Sequence, residues 1–192
     1  MKLAILTRAA VAATLAVLLA LPVFAKELAG VKSPETMKIG DKELKLNGMG
    51  LRKKVFFKVY VASLYVETVS KDGKAILAAD EIRRVEMSML RDLEKGKIVD
   101  AIKDSFAKSA GANLPKLQER LDKFVAVIPD LKEGEKLSLM YVPGKGTSVG
   151  NADGTEKISV EGKDFADALF SVWLGAEPVS EGLKNGMLGL GD

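Results

Sequence analysis

The sequence predicts an α+β domain in which a large antiparallel sheet carries a layer of helices on one face. Several short segments alternate apolar and polar residues, as strands do, whereas others repeat apolar residues every three to four positions, as helices do. The two kinds of segment occur in blocks along the 192-residue chain instead of alternating one by one. Such blocks are typical of antiparallel sheets with a separate helical layer.

The first 25 residues have the pattern of a secretory signal peptide and are left out of the fold prediction. Two basic residues precede an apolar stretch from 9 to 21, and small side chains at Val23 and Ala25 suit a cleavage site. The apolar stretch is shorter than the roughly 20 residues that a membrane span requires. We therefore expect cleavage after Ala25, a periplasmic or secreted product without a transmembrane span, and a single domain over residues 26–192.

Strand-like segments dominate the first half of that domain. Residues 36–46 alternate around a Gly-Asp pair, which predicts a hairpin. Residues 55–67 are rich in Val, Phe and Tyr and are apolar at both odd and even positions, which predicts a strand covered on both faces. After a turn at residues 71–73, residues 83–90 alternate again and predict a further strand.

The period then changes to that of helices and returns later to that of strands. Residues 95–109 and 114–125 each place apolar residues on one side, with Gly111-Ala112-Asn113 between them, so we expect a helical hairpin. Residues 136–143 and 155–161 are strand-like and are joined through glycines and a turn-like Asn-Ala-Asp-Gly. We expect these two strands to form a hairpin that closes the sheet.

The C-terminal region predicts two more helices. Residues 162–175 place aromatic and aliphatic side chains on one face, with Asp164 as the expected N-cap and Gly175 at the end. Pro178 begins a short final helix. The aromatic stripe that contains Trp173 is interpreted as core, because such stripes at helical spacing are more often core than cavity wall.

Composition excludes several classes of function. The chain has no histidine and no cysteine, so Ser-His-Asp triads, cysteine nucleophiles and imidazole or thiolate zinc sites are impossible. We expect no cofactor and no metal site. Without the two basic residues of the signal segment, the net charge of +3 falls to about +1, too balanced to indicate a nucleic-acid partner.

A basic triplet, Arg52-Lys53-Lys54, stands close to Tyr60 in "LNGMGLRKKVFFKVYVASLYVE". Charges at such a place often protect a strand edge or turn from pairing with another chain. Two geometries nevertheless let Arg52 and Tyr60 converge. If the triplet lies at a hairpin bend, the two residues are on adjacent strands, and if the strand is continuous, their even spacing puts them on one face.

Four segments carry a resemblance to a known family: "LNGMGLRKKVFFKVYVASLYVE", "VEMSMLRDLEKGKIVDAIKDSF", "YVPGKGTSV" and "GKDFADALFSVWLG". They resemble the bacterial chalcone isomerase-like family, in its secreted branch, which is related to plant chalcone isomerases and to plant fatty-acid-binding proteins of the same fold. The resemblance implies an open-faced β-sandwich, with a cleft between the large antiparallel sheet and its helical layer.

The resemblance also implies site residues. In the fatty-acid-binding relatives an arginine and a tyrosine hold the ligand carboxylate, and the sequence contexts place these roles on Arg52 and Tyr60, at a shorter spacing than in the relatives. In the plant isomerase, polar residues act at positions that the resemblance places at Tyr60 and near Ile98, Ser105 and Val172. Most of that polar set is therefore absent.

Three functions follow as hypotheses. The first is non-catalytic binding of a small apolar carboxylate ligand, a fatty acid in the simplest case, by Arg52 and Tyr60 in a cleft between sheet and helices. The alternative is an isomerase of the chalcone–flavanone type, an intramolecular lyase that acts by positioning and oxyanion stabilisation. The second alternative is an envelope structural or partner-binding module.

Overall fold

The computed structural model describes residues 25–151 and 156–191. The predicted signal peptide lies outside the described residues except for Ala25, and so does most of the expected turn at 151–154. Over the described ranges, none of the helices has the length and apolar content needed to span a membrane.

The described strands form two antiparallel sheets. The small sheet pairs β1 (Ala25–Leu28) with β2 (Val31–Pro34). In the large sheet seven strands lie in chain order, each antiparallel to the next: β3 (Thr36–Ile39), β4 (Lys42–Lys54), β5 (Phe57–Val66), β6 (Arg83–Met89), β7 (Lys136–Val142), β8 (Gly146–Asn151) and β9 (Glu156–Val160). Sequential antiparallel pairing needs only short connections or the helical insertions that this chain contains.

The helices pack mainly on one face of the large sheet. They are α1 (Gly73–Ala78), α2 (Lys95–Ala110), α3 (Leu114–Ala126), α4 (Lys163–Leu174) and α5 (Glu181–Met187), with a 3₁₀ turn at Gly111–Asn113 between α2 and α3. The main core lies between this layer and the sheet, where Phe106, Phe124 and Phe165 pack with Leu64 and Val85. The predicted α+β class, antiparallel sheet and one-sided helical layer are confirmed.

Strand β5 is buried on both faces, as its composition predicts. Ala62 and Leu64 face the helices in the main core, whereas Tyr65 belongs to a smaller cluster with Leu44 and Ile82. Successive residues of a strand point to opposite faces of the sheet. In a strand that is buried on both faces, the side chains at odd and at even positions must therefore be apolar or hydrogen-bonded. The Tyr65 hydroxyl meets this condition by donating a hydrogen bond to the carbonyl of Pro34, at 3.0 Å.

The short or glycine-rich elements are where the sequence prediction was wrong. Residues 71–73 do not form a simple turn, because the Asp72 carboxylate accepts a hydrogen bond from the Lys74 N–H and caps α1. The glycine-rich connection after β7 contains a strand, β8, so three strands close the sheet instead of two. Pairing with strands on both sides outweighs the poor strand propensity of glycine.

The expected N-cap of α4 is also wrong. Gly162 occupies the cap position, and Asp164 lies inside the first turn. Both carboxylate oxygens of Asp164 accept hydrogen bonds from the Arg120 guanidinium of α3, at 2.8 and 2.6 Å, which draws the side chain toward α3. The end of the helix at Gly175 is confirmed, with its N–H donating to the carbonyl of Ser171.

Helix α5 lies directly on β4, at two glycines. A Cβ on Gly48 would lie 2.3 Å from the carbonyl oxygen of Gly186, and one on Gly50 would lie 2.1 Å from that of Leu183. No side chain fits at either position. The close approach anchors the C-terminal helix against the strand that leads to Arg52.

Candidate ligand-binding site

A cavity of about 470 Å³ lies between the sheet and the helices, beside the hairpin that joins β4 to β5. Its walls come from the ends of β4 and β6, the start of β5, the first half of α2 and the last turn of α4. The lining is mostly aliphatic or aromatic: Val55, Phe57, Val59, Met87, Met89, Leu93, Ile98, Ala101, Ile102, Val172, Trp173 and Val179. The polar lining residues are Arg52, Lys54, Tyr60, Arg91, Asp92 and Lys97.

Arg52 and Tyr60 lie directly opposite each other on adjacent strands. Residues that face each other across an antiparallel pair project to the same side of the sheet, and both side chains line the cavity. The hairpin bends at Val55 and Phe56, just beyond the basic triplet, so the adjacent-strand geometry is the one that the chain adopts. The ligand-binding role of the two residues stays a prediction.

The Arg52 guanidinium is half-buried and has hydrogen-bonding capacity to spare. One of its nitrogens donates to the backbone carbonyl of Lys53. None of the carboxylates that the structure describes forms an ion pair with it. A guanidinium carries five N–H donors in a planar fork, so most of its donors remain available to an anion.

The Tyr60 phenol is buried, with 9% of the residue exposed. Its oxygen accepts a hydrogen bond from the indole N–H of Trp173, at 3.2 Å. Burial raises the pKa of Tyr60, against smaller lowering effects of the Trp173 hydrogen bond and the Arg52 charge. The phenol is therefore protonated at neutral pH, and its O–H is free to donate while its oxygen accepts from the indole.

Trp173 is a site residue that the sequence interpretation missed. The interpretation as core holds for burial, because only 2% of the residue is exposed, but the indole also lines the cavity. The sequence did contain one indication of this contact. An indole N–H can donate a hydrogen bond but cannot accept one, so a buried tryptophan needs an acceptor nearby. A tyrosine in an apolar strand is a natural candidate for that acceptor.

Positive charge surrounds the cavity near the hairpin. Lys54, Arg91 and Lys97 join Arg52 in the lining, and Asp92 is the one acidic lining residue among those described. The Asp92 carboxylate is already engaged, since it lies 2.9 Å from the Lys132 ammonium and accepts the N–H of Glu133. Lys97 is also engaged, because its ammonium lies 3.1 Å from the Glu94 carboxylate. Arg52, Lys54 and Arg91 form no ion pair with the carboxylates that the structure describes, so the uncompensated charge at this end of the cavity is cationic.

Similarity to known proteins agrees with this architecture. The sequence profile described as chalcone isomerase-like matches residues 25–189. The chain belongs to the chalcone isomerase-like family. Among solved structures, a fatty-acid binding protein of Arabidopsis thaliana is similar, with a TM-score of 0.68 and 18% identity over 86% of this chain and 96% of that chain. No curated protein sequence is significantly similar to this one.

The resemblance places the isomerase polar residues at Tyr60 and near Ile98, Ser105 and Val172, and the structure shows what these residues present to the cavity. Ile98 and Val172 line the cavity with aliphatic side chains. Ser105 is buried in α2 and is not part of the lining. Tyr60 is the one of these four positions that brings a hydroxyl to the cavity, and its raised pKa makes it a donor and not a base at neutral pH.

Proposed function

We propose that this protein binds a small apolar acid, a fatty acid in the simplest case, without catalysing a reaction. The observation that carries the proposal is the pair formed by Arg52 and Tyr60, a guanidinium without an ion-pair partner among the described residues and a buried phenol. The two residues lie opposite each other on the wall of a largely apolar cavity of about 470 Å³.

The pair supplies the donors that a carboxylate requires. A guanidinium binds a carboxylate through two parallel N–H···O bonds, which fix both position and orientation. The protonated Tyr60 hydroxyl adds a third donor, because its own oxygen is already engaged by the Trp173 indole. In this arrangement the head group is selected for charge and for planarity.

The apolar lining supplies most of the affinity. Burial of a methylene contributes about 0.8 kcal/mol, so ten methylenes offer about 8 kcal/mol before the cost of ordering the ligand. The acid–arginine pair at a half-exposed site contributes less than this. Tail length therefore governs the strength of binding, and Arg52 governs the choice of head group.

Two further observations support binding over catalysis. The similar Arabidopsis structure is that of a fatty-acid binding protein. Of the positions matched to the isomerase polar residues, only Tyr60 presents a polar group to the cavity, because Ile98 and Val172 are aliphatic. The pattern of residues 1–25 supports export, and we place the protein in the periplasm or outside the cell as part of the same proposal.

Calorimetric titration with a long-chain fatty acid and with the alcohol of the same length tests the proposal. The wild-type protein should bind the acid more tightly than the alcohol. A charged hydrogen bond contributes about 1.5–3 kcal/mol, so Arg52→Met should weaken acid binding by roughly tenfold to a hundredfold and leave alcohol binding nearly unchanged. The matched control is Lys116→Met, an exposed residue of α3 that lies outside the cavity lining and should change neither affinity.

Equal weakening of acid and alcohol, or no binding of either by the wild-type protein, would contradict the proposal. Native mass spectrometry of protein purified from its host adds an independent check, since a bound acyl acid should be retained. Cyclisation of a chalcone above the uncatalysed rate, abolished by Arg52→Ala, would instead favour the isomerase.

A further inference from the structure

The tip of the β4–β5 hairpin exposes three consecutive apolar side chains. Val55 is 77% exposed, Phe56 93% and Phe57 60%. Single exposed apolar residues are common on protein surfaces, whereas a contiguous group indicates an interaction surface. These residues together with Lys53, Lys54 and Lys58 are called the hairpin tip below.

Turn formation does not explain this choice of residues. The bend consists of Val55 and Phe56 alone, because Lys54 pairs with Phe57. Val55 has a φ of 56°, in the left-handed region that β-branched residues rarely adopt. Two-residue turns with a positive φ at the first position normally carry glycine there. The tip therefore keeps bulky apolar side chains at a conformational cost.

Cations surround the apolar group. Residues 52–58 contain one arginine and three lysines and no acidic residue. The three lysines are exposed, and the Arg91 guanidinium lies over the Phe57 ring, 4.8 Å from its centre. An apolar tip within a cationic rim matches an anionic lipid surface, where aromatic side chains enter the boundary of the acyl layer and lysines approach the phosphates.

The tip is also continuous with the cavity. Lys54, Val55 and Phe57 belong to the tip and line the cavity as well, and Arg91 lies beside both. A tip held in a lipid surface would therefore bring the cationic end of the cavity to the headgroup region. That is the depth at which an acid dissolved in a bilayer presents its carboxylate.

We propose that the hairpin tip docks this protein on an anionic membrane surface and that the apolar acid passes between the bilayer and the cavity at this end. The docking stands independently of the proposed function, whereas the passage of the acid rests on it. A protein partner is disfavoured because a two-residue turn offers far less than the roughly 800 Å² per partner of a stable interface. A second copy is disfavoured because two cationic tips repel each other.

Vesicle flotation tests the docking. Vesicles of phosphatidylcholine alone are compared with vesicles that contain phosphatidylglycerol. The wild-type protein should bind the anionic vesicles, more weakly as salt rises, and should bind the neutral vesicles little. Phe56→Asn should lower affinity for anionic vesicles at least about tenfold, since burying a phenylalanine contributes on the scale of 1.5–3 kcal/mol. Lys53→Gln and Lys58→Gln should each lower it about fivefold.

The controls separate the tip from general surface effects. Val69→Asn replaces another exposed apolar residue, and Lys116→Gln another exposed lysine, both outside the tip. Neither should change vesicle binding. Phe56, Lys53 and Lys58 do not line the cavity, so their variants should bind a fatty acid in detergent-free solution as the wild type does.

The outcomes distinguish the two proposals. Tip-dependent vesicle binding without uptake of a fatty acid would support the docking and overturn the acid-binding function. Fatty-acid binding in solution without vesicle binding, or vesicle binding that the three tip variants leave unchanged, would overturn the docking and leave the function standing. A Phe56-dependent dimer in sedimentation, with no vesicle binding, would also overturn it.

Discussion

The indole N–H of Trp173, in the last turn of α4, donates a hydrogen bond to the phenol oxygen of Tyr60 at the start of β5, at 3.2 Å. This bond joins the helical layer to the sheet inside the cavity. The Tyr60 oxygen accepts this bond, so its O–H is left to donate to a different group. A residue 113 positions away thus occupies the Tyr60 oxygen and leaves its O–H as a donor.

The first prediction concerns this bond. Trp173→Phe keeps an aromatic ring and removes the donor, so affinity for a fatty acid should fall about two- to tenfold, the range expected for one neutral hydrogen bond. Titration of the single variants and of the double variant with Tyr60→Phe gives the coupling between the two residues. Because both substitutions break the same hydrogen bond, the double variant should lose less affinity than the sum of the two single losses. A loss equal to that sum would contradict a shared role.

The second prediction concerns alkaline pH. All three tyrosines of the chain are buried, and burial raises the pKa of Tyr60, of Tyr65 to about 12 and of Tyr141 to about 12. The unfolded chain loses its phenol protons near pH 10 while the native chain retains them, so the free energy of unfolding should fall as pH rises from about 10 to 12.

Phenolate absorbance followed together with circular dichroism checks this. Phenolate should appear mainly as the protein unfolds. Tyr65→Phe should lessen the dependence of stability on pH in that window, and this comparison separates the tyrosine contribution from that of the lysines. Full ionisation near pH 10 with the circular dichroism unchanged would show that the phenols are not protected.

The third prediction concerns Arg83, which is 1% exposed. Its guanidinium donates to the carbonyls of Ile76, Leu77 and Ala79 at the end of α1 and to the Asp167 carboxylate of α4, at 2.5 Å. Arg83→Met should lower the free energy of unfolding by about 3 kcal/mol, because these acceptors lose a buried partner.

Arg120→Met is the matched control for Arg83. The Arg120 pair with Asp164 lies at the surface, so its loss should lower the free energy of unfolding by at most about 1 kcal/mol. Urea denaturation at neutral pH measures both variants. Equal losses would mean that the buried network around Arg83 does not tie α1 to α4.

The fourth prediction compares two glycines. Gly50→Ala should lower the free energy of unfolding by about 1–3 kcal/mol, because the new Cβ would meet the backbone carbonyl of Leu183 and force α5 away from β4. Gly96→Ala, in the first turn of α2 with nothing within 4 Å of the new Cβ, should raise it by up to about 1 kcal/mol. Thermal unfolding measures both, and an unchanged Gly50→Ala variant would contradict the close packing of α5.

The accuracy of the sequence predictions followed the length of each element. Helices α2, α3 and α4 were predicted within one or two residues, because periodicity over three or more turns is a strong local signal. The short helix α1 and the glycine-rich strand β8 gave no such signal. Their formation depends on a cap at Asp72 and on pairing with β7 and β9.

The candidate site divides in the same way. Arg52 and Tyr60 were predictable as a pair because they are eight positions apart in one strand–turn–strand segment, where either geometry lets them converge. Trp173, Arg91 and Lys97 were not assigned to the site, since they reach it from elements that only the packing of helices on the sheet brings together.

Fold class, the family resemblance and the exclusion of histidine and cysteine chemistry depend on composition and on neighbours within a few residues. The cavity, the orientation of the Tyr60 hydroxyl and the exposed tip depend on contacts between distant segments, because burial and hydrogen-bond partners are properties of the packed molecule and not of any local stretch.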